Sequence, residues 1–164
     1  MPISAVHGLV LQSLNGLEAG NYQPLVVQIQ PVVPAGISLA PHAYPFDSTG
    51  KNFRATPPRM RMTGQRKLIH SVGIRVVVGQ PQATGDADYV FTDLIEAIMA
   101  TCAAIPMPQA ALKDPFTGNT SRLVAIGEQM EWKIYEPEYA PGGNQRMFVY
   151  RGDVDVTVEE WING

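Results

Sequence analysis

Three histidines and a short run of acids are the first residues to weigh for chemistry. His7, His42 and His70 stand at no metal-ligand spacing from one another or from the single cysteine, Cys102. No HExxH or CxxC occurs, so zinc and dithiol chemistry have no local support. Asp86, Asp88 and Asp93 cluster before and inside an expected helix. Acids there complement the positive end of the helix dipole, and Asp86 or Thr84 can cap it. A divalent-metal site is the rarer use of such a cluster; Asp86 and Asp88 with His70 would make a hydrolase or metal enzyme. GxSxG, GxxxxGK[ST] and GxGxxG are all absent, which leaves a serine or cysteine nucleophile without local support and provides no phosphate cradle. Cys102 falls on an apolar helical stripe and reads as a small buried hydrophobe. His70 opens a strand on its apolar side and reads as a hydrogen-bonded boundary residue.

Charge is distributed less evenly than chemistry. Net charge is only −3, yet from Ser48 to Gly85 there is no acid, while Lys51, Arg54, Arg59, Arg61, Arg66, Lys67 and Arg75 lie there, out of 12 basic residues in all. Such a run has an ordinary use as a solvated loop. It has two functional uses: neutralising phosphates, or meeting an acidic protein surface. The chain carries such a surface itself. Glu128, Glu131, Glu136, Glu138, Asp153, Asp155, Glu159 and Glu160 face only Lys133, Arg146 and Arg151 across the C-terminal third. A molecule basic in one region and acidic in another can associate head to tail, and such contacts close into rings when the rotation allows. The candidate interface residues are Arg54, Arg59, Arg61, Arg66 and Lys67.

The elements that must position these groups centre on residues 68–105. His70, Val72, Ile74, Val76 and Val78 alternate with Ser71, Gly73, Arg75 and Val77, the period of a strand with one apolar face. Phe91, Leu94, Ile95, Ile98, Met99, Cys102 and Ile105 then recur at helical steps. Upstream, Ile3, Val6, Leu9, Val10, Leu14 and Leu17 predict a short helix ended by Asn15-Gly16 and Gly20-Asn21. Residues 24–34 read as a short edge strand limited by three prolines. Residues 35–67 read as one long irregular loop. Leu123–Ile126 and Met130–Ile134 predict strand, joined through a bulge at Gly127. Residues 136–144 read as a turn, Met147–Tyr150 and Val154–Val158 as strand, and Arg151-Gly152-Asp153 as a bend or bulge between them.

A length of 164 residues suits one domain, residues 1–164. One cysteine excludes an internal disulfide framework, no apolar run is long enough to span a bilayer, and the start lacks a secretory signal. The expected class is α/β in the α+β sense: a mostly antiparallel sheet with two helices packed on one face and a long extended basic loop at about 35–67.

This layout resembles the tail terminator (tail completion) proteins of long-tailed bacteriophages, the lambda-type minor tail family. The residues that carry the likeness are the short N-terminal helix, the approach Ala43-Tyr44-Pro45, and the strand from His70 to Val78. The helix around Phe91-Thr92-Asp93-Leu94-Ile95-Glu96-Ala97-Ile98 and the ending Tyr150-Arg151-Gly152, then Val154-Asp155-Val156-Thr157-Val158, complete it. The resemblance implies a non-enzymatic virion protein with no cofactor, metal or catalytic residue. It implies a homo-oligomer, a hexameric ring, that caps the tail tube, ends its polymerisation and forms the head-tail joining surface. Its partners would be the tail tube protein and the head-tail connector or stopper protein, with no membrane and with DNA only passing through the lumen. Its place would be the head-proximal end of the virion tail, after assembly in the host cytoplasm. The alternatives are another head-tail connector or neck subunit, and a small nucleic-acid-binding protein using the basic loop.

Overall fold

The computed structural model describes residues 3–20, 22–28, 39–46, 65–80, 85–106, 112–113, 120–142 and 145–163. Among the described residues two helices and seven strands follow one another. Helix α1 (Ile3–Leu14) places Val6, Val10, Leu11 and Leu14 on one face, all fully buried. At 12 residues it is too short to hold alone, and it packs against helix α2 (Gly85–Ala103) and the sheet. Gly16 (φ 77°) reverses the chain after α1, and its N–H donates to the Leu25 carbonyl at 2.9 Å. Only glycine enters that backbone region without a Cβ penalty.

The spine of the sheet is the antiparallel pair β3 (Gln65–Gln80) and β7 (Gln145–Asn163), in unbroken register from Gln65 opposite Asn163 to Gln80 opposite Phe148. Strand β2 (His42–Pro45) pairs with β3, and the two-residue β1 (Val26–Val27) runs parallel to β2 at the edge. On its other side β7 meets β5 (Thr120–Ile134), which carries the two-residue β4 (Leu112–Lys113), and then β6 (Glu138–Gly142). Every pair except β1 with β2 is antiparallel.

Parity fixes this register. Val72, Ile74, Val76 and Val78 of β3 and Val154, Val156 and Val158 of β7 are all 0% exposed. Each buried branched side chain contributes about 1.5–3 kcal/mol, and a slip of either strand by one residue would turn that strand's whole set outward. Both helices lie on this apolar face, α1 against β2 and β3 and α2 against β5 and β7. Phe91, Leu94, Ile95, Ile98 and Cys102 of α2 complete the core.

Two glycines let α2 come close. A Cβ on Gly152 would lie 2.9 Å from Ile95 Cδ1 and 3.2 Å from Phe91 Cε1. One on Gly127 (φ 72°) would lie 3.4 Å from the Ala103 backbone. The helix therefore crosses β7 at Gly152 through Phe91 and Ile95 and ends over the β5 bulge, where Ile126 is opposite Val158. At about 1.5 Å per residue α2 is roughly 28 Å long, whereas β7, at about 3.3 Å per residue, is roughly 60 Å long. The β3, β7 and β5 blade therefore runs on past the end of α2, through residues 65–69, 159–163 and 120–125.

The α+β class, the antiparallel sheet, both helices and the bulge at Gly127 match the sequence reading. Three local expectations change. Arg151-Gly152-Asp153 is neither bend nor bulge, since β7 runs straight through it; its glycine is there to admit Phe91 and Ile95. Residues 138–142 form strand β6, because Pro141 sits where the ladder tolerates the missing N–H. The segment 35–67 is not one loop, for His42–Pro45 and the start of β3 at Gln65 are strand.

Candidate functional site

Of the candidate interface residues, Arg54, Arg59 and Arg61 lie outside the described residues. Arg66 and Lys67 belong to β3, opposite Ile162 and Trp161 in the blade beyond α2, rather than to a loop. The grouping of Asp86, Asp88 and His70 is not formed. Asp86 and Asp88 occupy the first turn of α2, whereas His70 is opposite Val158, level with the helix's far end. Among the described residues no group of three or more His, Cys, Asp and Glu is placed to hold a metal ion. Cys102 is fully buried, and burial pushes its thiol up to about 12, so it is packing rather than nucleophile.

Three groupings among the described residues bear on function instead. The first is internal. His70 Nε2 and Glu160 Oε2 are 2.6 Å apart, with the side chains 7% and 0% exposed. Both sit on the apolar face of the sheet, on diagonal positions of the β3 and β7 ladder. An ionised carboxylate only accepts, so against it Nε2 carries the hydrogen. Glu160 has a further interaction beyond His70.

The second assembly lies on the face away from the helices. Arg75 grips Asp153 through two parallel bonds, Nε to Oδ1 at 2.7 Å and Nη2 to Oδ2 at 2.9 Å. This fork geometry is the strong form of the contact. Tyr135 Oη donates to the same Oδ2 at 2.7 Å. The Arg75 guanidinium stacks 3.3 Å above the Phe46 ring, and Lys133 Nζ lies 4.7 Å from the Tyr135 ring centroid. The Asp153 bonds hold Arg75 above its ordinary pKa, and Asp153 likewise raises the Tyr135 phenol. Phe46 reaches this position because Gly73, whose O accepts from Phe46 N at 2.9 Å, has no side chain to block it.

The third is a cleft of about 210 Å³ lined by Asp88, Phe91, Thr92, Ile134, Tyr135, Glu136, Pro137 and Tyr150. It exists because of the step between β5 and β6. Ile134 is opposite Gly152 and Glu138 is opposite Val149, so four steps of one chain span three of the other. The surplus residue pushes Glu136 and Pro137 out of the ladder and opens a gap over Tyr150. Tyr150 is 1% exposed, and its hydroxyl lies beside the Asp88 carboxylate. Burial first, and the adjacent Asp88 carboxylate second, push its phenol up to about 12.

Sequence parity could have found two of these groups. Glu160 and Tyr150 continue the inward positions of Val154, Val156 and Val158, and a charged residue at such a position needs a buried partner. The sharing of Asp153 by Arg75 and Tyr135 has no comparable signal, because it depends on which strands are neighbours. No protein-family model matches the chain, and no curated protein matches it.

Proposed function

We propose that this chain is a structural subunit of the tail terminator type, which assembles with copies of itself into a ring on the end of a phage tail tube. The ring ends tube polymerisation and offers the head connector a joining surface. The order of elements supports this reading: short helix, strand, amphipathic helix and alternating C-terminal strand are the features on which the resemblance rests. The observation that carries it furthest is the blade. Strands β3, β7 and β5 continue together past the end of α2, and strands this long present ladder edges suited to contacts outside the subunit. The face away from the helices adds a part-buried polar cluster, with Arg75, Asp153 and Tyr135 fixed to one another, and polar groups held in place can set the register between protein surfaces.

The test is assembly. The purified protein is mixed with tail tubes and examined by sedimentation and electron microscopy. The expected result is a six-fold ring seated on one end of each tube, with tube growth arrested. A protein that stays monomeric and leaves the tubes growing would overturn the reading. Rings found elsewhere in the neck would move the chain to another connector position.

A further inference from the structure

The outer edge of β5 is open and matches itself. Beyond Thr120 and Ser121, where β4 pairs with it, no described strand lies on the side of β5 away from β7. Glu131, Trp132 and Lys133 follow one another on this strand and are all exposed. Trp132 is 54% exposed although it is opposite Val154, on the face that carries the helices. One bond fixes the backbone parity: Tyr135 N donates to Arg151 O at 3.0 Å. Bonding alternates along an antiparallel strand, and the register is regular from Met130 to Ile134, so the backbone groups of Glu131 and Lys133 also turn toward β7. The N–H and C=O of Met130, Trp132 and Ile134 therefore point outward. A free row of this kind is a template for another strand.

We infer that β5 pairs with β5 of a second copy of this chain, antiparallel about a two-fold axis through Trp132. Charge complementarity within the strand identifies the occupant. Outward backbone groups must meet outward groups, and only the axis through Trp132 pairs the whole of Met130–Ile134 with itself. That axis sets Glu131 of each copy opposite Lys133 of the other, in the closer, non-hydrogen-bonded positions. Shifting the axis to Glu131 or to Lys133 would place each of these residues against its own counterpart, and like charges directly opposite destabilise a ladder. Glu131 forms no ion pair among the described residues. On the helix face the same register sets the two Trp132 rings side by side and Met130 next to the partner's Ile134, so exposed aromatic surface is covered. Hydrogen-bond parity, charge and apolar pairing thus select one register. An isologous contact closes at two copies, so this dimer is separate from the proposed ring. It covers an edge that would otherwise be adhesive.

Sedimentation equilibrium of the full chain, without tail tubes, is expected to show a monomer–dimer equilibrium. Both charged side chains are exposed, so E131K and K133E leave the core untouched. Each is expected to weaken dimerisation roughly tenfold or more, because both opposed pairs become like-charge pairs. Mixed together, the two variants are expected to form a heterodimer of restored affinity, and E131K/K133E in one chain to dimerise as the wild type does. Oxidative cross-linking fixes the register. W132C is expected to link two copies, since directly opposite hydrogen-bonded positions lie about 5.5 Å apart at Cα. E131C, displaced diagonally by roughly 7–8 Å from its counterpart, is not expected to link. Cys102 is buried and takes no part. A wild-type chain that is monomeric at every concentration, or charge variants that dimerise unchanged, would overturn the contact. A link through position 131 in place of 132 would overturn the register. A chain that dimerises in this way and never caps a tube would bear the contact out while removing the ring reading, so the two fail separately.

Discussion

Among the described residues Glu160 is a fully buried acid on a mainly apolar sheet face, and its carboxylate meets His70 at 2.6 Å from 90 residues away in sequence. Removing one partner takes a buried hydrogen bond from the other, which costs about 1–3 kcal/mol. His70→Leu and Glu160→Leu are each expected to lower unfolding free energy by that order, read from urea denaturation. The double change is expected to cost less than the sum of the two, since no unpaired polar group remains from the pair. Equal, additive costs would show that the two groups stabilise the sheet independently.

The fork between Arg75 and Asp153 shares an oxygen with Tyr135. Residues that share a partner couple by about 0.5–3 kcal/mol. A double-mutant cycle of Arg75→Lys and Tyr135→Phe is expected to give a coupling in that range, measured by thermal or urea unfolding. Arg75→Lys alone is expected to be destabilising, because lysine loses both the parallel bonds and the stacking on Phe46.

Gly152 is a packing requirement. Its Cα faces Ile95 Cδ1 and the Phe91 ring so closely that an alanine Cβ would stand 2.9 Å from the first. Gly152→Ala is expected to destabilise by about 1–3 kcal/mol through overpacking. Ile95→Val removes the offending carbon and should recover part of that loss, although Ile→Val by itself costs about 0.5–1.5 kcal/mol. Chemical denaturation of the two single variants and the pair checks this. A strictly additive pair would place the strain elsewhere.

Alkaline pH should loosen the fold. The Cys102 thiol and the Tyr150 phenol are both held up to about 12, each chiefly by burial. Each therefore keeps its proton in the folded state at pH values where the unfolded chain has lost it. Stability from this source is fully present below the ordinary thiol and phenol values and falls as pH rises through the range up to about 12. The slope approaches about 1.4 kcal/mol per pH unit for each group titrating. Unfolding free energy is expected to be level near neutrality and to decline from about pH 9. Cys102→Ala should flatten the first part of the decline and Tyr150→Phe the later part.

Periodicity made much of this molecule legible before its coordinates. Val72 to Val78 and Val154 to Val158 announce their strands because every second residue is apolar, and Phe91 to Cys102 announces its helix. Parity also marked Arg75 as outward, but nothing local assigns it to Asp153. That pairing depends on β3 and β7 being neighbours, a fact of topology. Strand β6 was hidden by Pro137 and the Pro141-Gly142-Gly143 run, whose composition says turn. The ladder to β7 overrides that composition because its edge position asks little of Pro141. The cleft was illegible for a related reason, since a one-residue mismatch between strands appears only once both registers are known.

The strand at the centre of the sheet joins partners that are distant along the chain. The separations run from 68 residues, between Gln80 and Phe148, to 98, between Gln65 and Asn163. While a ribosome is making this protein, β3 must wait with Val72, Ile74, Val76 and Val78 unpaired until β7 emerges. Pairing across such gaps is slow, and the waiting strand is adhesive in the meantime. Folding is thus expected to wait on β7, and yield in a cell should depend on chaperone supply more than on the strength of the finished core.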